Sequence, residues 1–497
     1  MVKRGLIWGM MAGTALTAMP ASATTLRDAF NQTYTDSPDL NAARAQLQAT
    51  DEGVPIAKAA SRLGVTGVVG VTQSSNGLSR LDNGARVLTG QVNLNYPLFQ
   101  GGRVRNAINA AEARVVAGRS DLRTVEGNTF TEAVGTYMDV IRDQAIVDLR
   151  KKNVDVLNTN VRASRDRFEV GDLTRTDVAQ SEARLSLARS QLATAQGNLT
   201  SSRENYRRVI GSWPERLEQP PALPVLPATS DQAVDIALKS SPAIATATAT
   251  TQAAQYDVRA TRAQRLPTLS AIGGSSYNDY LGTRARQVGL PNNTPGIDQT
   301  QGQNNLGVSL SVPLYQGGLV GARVRQAQAI ENQALEQSIS IERLVVSRVR
   351  GAFAVYQAAG AAITANQQAV SANTLALEGV RAENSVGTRT VIEVLNAEQE
   401  LLNAQVSLVS AQRDQYVAGF ALLNAMGHAE ARDLGLDGGA LYDPLSNYDR
   451  VRNRFGDWSD NRRYTSRSTR TTGQTPDNAD VQPYTPGESR PVTPPRN

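Results

Sequence analysis

The hydrophobic and polar positions of this chain follow two periods, and each period occurs twice. Over Val87–Leu98, Leu88, Val92, Leu94, Tyr96 and Leu98 alternate with Thr89, Gln91, Asn93 and Asn95. Over Asn305–Leu314, Leu306, Val308, Leu310, Val312 and Leu314 alternate with Asn305, Gly307, Ser309 and Ser311. A two-residue period predicts a strand with one apolar and one polar face. Leu63–Gln73 and Leu266–Ser275 predict a companion strand ahead of each. The first pair turns within Ser74–Arg86, at Asn76-Gly77 and Asn83-Gly84. The second loop, Tyr277–Asn304, is longer and richer in Gly, Pro and Asn.

The other period is seven. Val178, Leu185, Leu192, Leu199 and Tyr206 recur at that spacing, with Ser181, Ala188, Ala195 and Ser202 three places after the first four. Val394, Leu401, Leu408, Gln415 and Leu422 repeat the frame, with Ala397, Ala404, Ala411, Ala418 and Ala425. Ahead of them run Val140, Val147, Val154, Val161, Phe168 and, in the second copy, Tyr356, Ile363, Val370, Leu377, Asn384. Arg103–Phe168 and Leu319–Asn384 contain no proline. A helix of ~65 residues is roughly 100 Å long at 1.5 Å per residue. A sustained 3.5-residue period makes a left-handed coiled coil. A soluble four-helix bundle uses similar seams, but does not explain strands spliced between the helices at matching places. Leu26–Ser61, rich in Ala and Gln, predicts a helical lead-in.

The two halves share a register. Pro97 and Pro313, Gly101 and Gly317, Gly171 and Gly387, Glu182 and Glu398, and Gly211 and Gly427 are all 216 positions apart. That is one unit, duplicated and fused, reading helix, strand, strand, helix, helix. The expected organisation is a signal peptide (1–23), a first repeat (24–212), a Pro-rich linker (213–230), a second repeat (231–440) and a disordered polar tail (441–497). Lys3 and Arg4, the apolar Leu6–Met19 and the small-x-small site Ala21-Ser22-Ala23 mark a secretory signal peptide; the apolar run is short for a membrane anchor.

Composition narrows the function. The chain has no cysteine, which excludes disulfides, thiolate metal sites and thiol nucleophiles. Its formal charge is +5 over 497 residues and its basic residues are scattered, so no nucleic-acid surface is expected. His428 is the sole histidine, without a second His or Cys to share a metal. Glu393, Glu398 and Glu400 are read as solvated helix faces. No catalytic residue, metal or cofactor is expected.

The alternating strands fit either a half-buried soluble sheet or a membrane barrel with lipid outside and water inside. About ten residues is the membrane-barrel length, and the export signal and the aromatics Tyr96, Phe99 and Tyr315 favour the membrane. About four strands per chain cannot close a barrel alone, and hydrocarbon does not tolerate open edges. Chains must then combine, two giving eight strands or three giving twelve.

Two short tips connect the long helices. The first is Val170-Gly171-Asp172-Leu173-Thr174 and the second Val386-Gly387-Thr388-Arg389-Thr390. In each, Gly suits a left-handed C-cap and Thr an N-cap.

With P-L-[FY]-Q-G-G at both strand-to-helix junctions (Pro97–Gly102, Pro313–Gly318) and the tip segment Ser385–Gln405, SVGTRTVIEVLNAEQELLNAQ, the chain resembles the TolC family of outer-membrane efflux proteins over about Leu26–Leu436. The resemblance implies a mixed α and β membrane protein. Three chains would give a twelve-stranded transmembrane β-barrel in outer-membrane lipid, four strands each, continued by a periplasmic tube of long antiparallel coiled-coil helices. It implies a passive exit duct for drug efflux or type I secretion. Its partners would be a periplasmic membrane-fusion adaptor and an inner-membrane efflux or ABC transporter, docking at the tips. The positions matching the family's gate and constriction are Thr176, Asp177, Asn384, Arg389, Glu393 and Asn396. An Asp177–Arg389 ion pair is the expected latch. Asn384 replaces a tyrosine, and Asn396 neutralises one of two acidic rings. Two other readings remain: a trimeric autotransporter or adhesin, which would place its strands once and at the C-terminus, and a soluble periplasmic coiled-coil adaptor.

Overall fold

The computed structural model describes residues 24–74, 86–287, 290–291, 294–436 and 441–472. The expected signal peptide (1–23), nearly all of the first strand turn (75–85) and the distal tail (473–497) lie outside the described residues.

Each copy opens with a helix of 11 residues that a Ser-Pro pair interrupts: α1 (Leu26–Asp36) in the first, α6 (Ser230–Ser240) in the second. Ser37 and Ser241 are extended, with ψ of 123° and 120°, because the ring of a following proline disfavours the helical well. Pro38 and Pro242 then start α2 (Pro38–Asp51) and α7 (Pro242–Arg262). The single helical stretch expected over Leu26–Ser61 is therefore three helices, the last being α3 (Gly53–Ala59). These Ser-Pro pairs are 204 positions apart, as are Gly64 and Thr268, where the first strand of each pair begins. The 216 spacing starts only after the longer second strand loop.

Four strands form one antiparallel sheet in chain order: β1 (Gly64–Gln73), β2 (Arg86–Phe99), β3 (Thr268–Asp279) and β4 (Thr300–Ser311). Two bounds differ from expectation. β4 ends at Ser311 rather than reaching Leu314, because Pro313 has no N–H to give the ladder. β3 starts after Pro267 and runs on to Asp279, opposite Thr300. β2 does pass through Pro97, where the register shifts before Phe99, the irregularity at which a sheet tolerates proline.

The register sorts the faces. Val65, Leu94, Gly273 and Leu306 form one cross-strand row, and Gly67, Val92, Ser275 and Asn304 the next. On the other face Asn93, Gly274 and Asn305 are neighbours, and a Cβ on Gly274 would stand 2.6 Å from the Asn305 amide oxygen. The apolar face is bare, with Val65, Val69, Val71, Leu306, Val308 and Leu310 exposed. β1 and β4 have no outer partner among the described residues. The loop after β3 holds the short α8 (Arg284–Gln287).

Each strand pair feeds a long hairpin. α4 (Arg103–Glu169) and α9 (Leu319–Ser385) have 67 residues each, and α5 (Arg175–Ile210) and α10 (Val391–Met426) have 36 each. At about 1.5 Å per residue the outgoing helices are ~100 Å long. Both start from a Gly-Gly in the left-handed region: Gly102 and Gly318 share φ 80°, and Gly101 and Gly317 have φ 60° and 58°.

The first heptad seam is buried at Val140, Val147, Val154 and Val161, and at Val178, Leu185 and Leu199. The second seam differs. α4 buries 23 residues and α9 only 7, with Tyr356, Ile363 and Val370 half-buried, so one face of α9 is left uncovered by its own chain. The main core lies where the helices cross mid-molecule, around Phe30, Phe130, Tyr137, Tyr206, Phe353 and Phe420. Phe30 meets Phe130 edge to face at 5.2 Å. The buried Tyr137 hydroxyl donates to the Glu218 carbonyl at 2.7 Å, tying in the Pro-rich linker.

The tail expected to be disordered from 441 is partly ordered. It forms α11 (Pro444–Val451) and an extended segment to Thr472. Arg44 lies over the Tyr34 ring at 4.4 Å and the Tyr442 ring at 5.2 Å, and Arg119 over Tyr448 at 4.8 Å. Asn447 donates to the buried Asp51 at 2.7 Å. Aromatic, arginine and amide contacts hold a segment whose few aliphatic residues gave no core signal.

Candidate functional site

The two hairpin tips are built alike, position for position. The Gly171 amide donates to the Phe168 carbonyl at 3.0 Å and that of Asp172 to the Arg167 carbonyl at 2.9 Å. The matching bonds of the second tip are Gly387 to Asn384 at 3.1 Å and Thr388 to Glu383 at 3.0 Å. Gly171 and Gly387, at φ 86° and 80°, supply the left-handed residue these closures require. Thr174 with Asp177, and Thr390 with Glu393, then form reciprocal capping boxes on α5 and α10. Thr176 is exposed in the first turn of α5. Val170 and Val386 stand 75% and 74% exposed at equivalent places, so each tip presents one apolar side chain to solvent.

The tips differ in charge. Arg389 bridges Glu383 at 2.6 Å and Glu393 at 2.7 Å, and Asn384 donates to the Arg389 carbonyl at 2.7 Å. Half-buried Leu173 occupies the position equivalent to Arg389. Hydrogen bonds from the Thr390 amide first, then from Arg389 and the Thr390 hydroxyl, push the Glu393 carboxyl down to about 2. Glu383 and then Glu393 hold the Arg389 guanidinium above its ordinary value. The hydroxyl and amide of Thr174 hold Asp177 below the usual carboxylate range. The expected Asp177–Arg389 pair is thus not made within the chain: Asp177 is occupied by Thr174, and Arg389 staples its own tip.

The hairpins are joined to each other slightly above the tips. Arg165 pairs with Glu182 at 2.6 Å in the first hairpin, and Arg381 with Glu398 at 2.8 Å in the second, at equivalent positions. Glu398 also accepts from Asn160 of α4 at 3.1 Å, across to the other hairpin. It is 7% exposed, which corrects its reading as a solvated acid. Asn396 accepts from Arg184 of α5 at 2.7 Å. Leu395 packs with Val154, Leu157 and Leu185. Further up, Asp139 of α4 meets Arg413 of α10 at 2.9 Å. Of the expected gate positions, Asn396 is the one with a hydrogen bond to the other hairpin among the described residues. Asn160, Arg184 and Glu398 were not expected in a gate; the echo between Glu182 and Glu398 was the one signal of them.

His428 lies near a helix end, its ring 3.4 Å from the Ser240 hydroxyl and 4.0 Å from Asp433.

An antiparallel sheet with a bare apolar face and open edges, continued by paired coiled-coil hairpins, defines a channel subunit of the outer membrane. The chain belongs to the outer membrane efflux protein family, whose model matches residues 29–212 and 233–428, one segment per copy. It is 36% identical over 447 residues to outer membrane efflux protein BepC of Brucella suis biovar 1 (strain 1330), covering 90% of this chain and 94% of that one. It is 30% identical to outer membrane protein TolC of Escherichia coli (strain K12), over 68% of each chain. The crystal structure of the Campylobacter jejuni CmeC outer membrane channel superposes with a TM-score of 0.70 at 16% identity, covering 86% of this chain and 89% of that one. The fold is that of the family's trimeric channels, a barrel with four strands from each chain and a helical tube below it. The protein resides in the outer membrane.

Proposed function

We propose that three copies form a passive exit duct, part of a tripartite efflux pump or a type I secretion system. Its lower end is kept narrow by the hairpin tips and is opened when a periplasmic adaptor and an inner-membrane transporter engage them. The observation that carries this reading is the construction of the tips. Two equivalent turns end ~100 Å helices, each offering an exposed valine on a backbone fixed by a glycine closure and a capping box. Such a tip is a preformed knob for a helical partner, repeated six times around three chains. The docking positions are Val170, Gly171, Asp172, Leu173, Thr174, Val386, Gly387, Thr388 and Thr390.

The gate lies at Thr176, Asp177, Asn384, Arg389, Glu393 and Asn396. Arg389 and Glu393 sit on the exposed tip, where interactions are weak enough for a partner's binding to redistribute them. Asp177 reaches Arg389 only across a chain boundary. With Asn396 neutral and Glu393 bound to Arg389, cation selectivity at the constriction is weak.

The test combines Val170→Asp and Val386→Asp. Export from cells should fall while the amount of oligomer in the outer membrane and its conductance in planar bilayers stay as in the wild type. Undiminished export would rule out docking at the tips. The autotransporter reading fails on the doubled, internal strand pairs, and the soluble-adaptor reading on the chain's place in the outer membrane efflux protein family.

A further inference from the structure

The ordered part of the tail rises beside the lead-in helices in step with them. Asn447 is bonded to Asp51, and Tyr448 packs on the cluster around Val54. Lys58 donates to the Arg452 carbonyl at 2.9 Å and Arg62 to the Arg454 carbonyl at 2.6 Å. The tail then turns back: Asn41 reaches Ser468 at 3.3 Å, and Arg207 reaches the Thr471 carbonyl at 2.8 Å. Residues 441–472 are therefore a hairpin-like strap whose apex is 454–461.

The apex is at the base of the barrel. Arg62 stands two residues before β1, and Gln100, one residue past β2, donates to the Ala60 carbonyl at 3.0 Å. The register pairs Gly64 with Asn95 and Thr268 with Ser311, so this is the helix-proximal end of all four strands.

The apex is also a built turn. The Arg454 guanidinium donates to the Ser459 carbonyl, to the Ser459 hydroxyl at 3.0 Å and to Asn461 at 3.2 Å. The Ser459 hydroxyl donates to the Gly456 carbonyl at 2.8 Å. Around this bonded frame Phe455 is 82% exposed and Trp458 99% exposed. Ile56 and Leu63 are exposed beside it, continuing the bare apolar face that begins at Val65. Arg62 and Ile56 line one recess with Phe455, Asp457 and Asp460 of the apex.

We propose that this apex is a membrane-interface anchor. Trp458 and Phe455 enter the headgroup region of the periplasmic leaflet, while Lys58 and Arg62 hold the strap through its carbonyls. Trp is the side chain favoured at that depth, with an apolar body and one N–H that stays wet. The occupant follows from continuity with the lipid face of the barrel; an indole left in water on an ordered turn has no folded-state return. The strap would fix the height of the barrel in the bilayer and tie it to the mid-tube core.

The chain contains 3 tryptophans, Trp8, Trp213 and Trp458. Trp8→Phe with Trp213→Phe leaves Trp458 as the sole indole of the full chain. The oligomer is reconstituted in phosphatidylethanolamine/phosphatidylglycerol vesicles containing a phospholipid brominated near its headgroup. The expected result is blue-shifted emission, loss of emission to the brominated lipid and shielding from iodide. Quenching by iodide alone would overturn the proposal by placing Trp458 in water. Shielding from both quenchers would overturn it by placing a neighbouring chain over the apex. Should Trp213→Phe fail to assemble, the difference between the wild type and Trp458→Phe gives the same reading.

Discussion

Asn160 of α4 donates to Glu398 of α10 at 3.1 Å, and this contact joins two hairpins that are otherwise repeats of one another. Glu182, the equivalent of Glu398, has its arginine partner but, among the described residues, no donor from the other hairpin. Duplication supplied the same ion pair twice, and only one copy was recruited to hold the hairpins together.

The two glutamates should therefore respond differently to truncation. Glu398→Ala removes a buried carboxylate, leaves the half-buried Asn160 without its acceptor, and should cost about 1–3 kcal/mol. Glu182→Ala removes a solvated pair and should cost about 0–1 kcal/mol. Denaturant unfolding of the detergent-solubilised oligomer measures both. Equal effects would mean that the cross-hairpin bond contributes nothing.

Acid should loosen the tips. The Glu393 carboxyl is held at about 2 in the folded chain, against 4.5 ordinarily. Asp177 is lowered in the same direction from 3.8. A carboxyl depressed by folding stabilises the folded form above its unfolded value, and that stabilisation disappears as the pH falls through the folded value. The capping boxes are intact above about 4.5 and lost toward about 2. Amide exchange at Thr174 and Thr390, corrected for intrinsic rates, should lose protection across that window. Constant protection would exclude the capping carboxylates as the cause.

The junction glycines are equivalent in backbone but not in surroundings. A Cβ on Gly101 would meet the Leu266 Cβ at 2.6 Å, whereas at Gly317 it would meet open space. Gly317→Ala pays only for the left-handed backbone, about 1–2 kcal/mol. Gly101→Ala adds overlap with Leu266 and should reach about 2–5 kcal/mol. Thermal denaturation by circular dichroism ranks them; the reverse order would contradict the packing at Leu266.

What was legible in the sequence is what local chemistry decides. The tips could be read because a glycine closure and a Thr with an acid three places on lie within a few residues. The strands could be read from alternation, but β4 was misplaced because Pro313 outweighed the apolar pattern through Leu314. The clasp could not be read: Asn160 and Glu398 are 238 positions apart, and nothing near either marks the other. The tail was misread because a core signal is counted in aliphatic residues, while Tyr442, Tyr448 and Asn447 dock through arginine faces and a buried carboxylate.

The most direct measurement is single-channel conductance of the purified oligomer in planar bilayers, comparing the wild type with Arg389→Ser, Glu398→Ala and their combination. A duct narrowed by its tips and held by the Asn160–Glu398 clasp predicts a small wild-type conductance. Each single change should raise it several-fold, and the combination should raise it most. A wild type that is already wide, or a tightly closed channel that both changes leave untouched, would contradict the account.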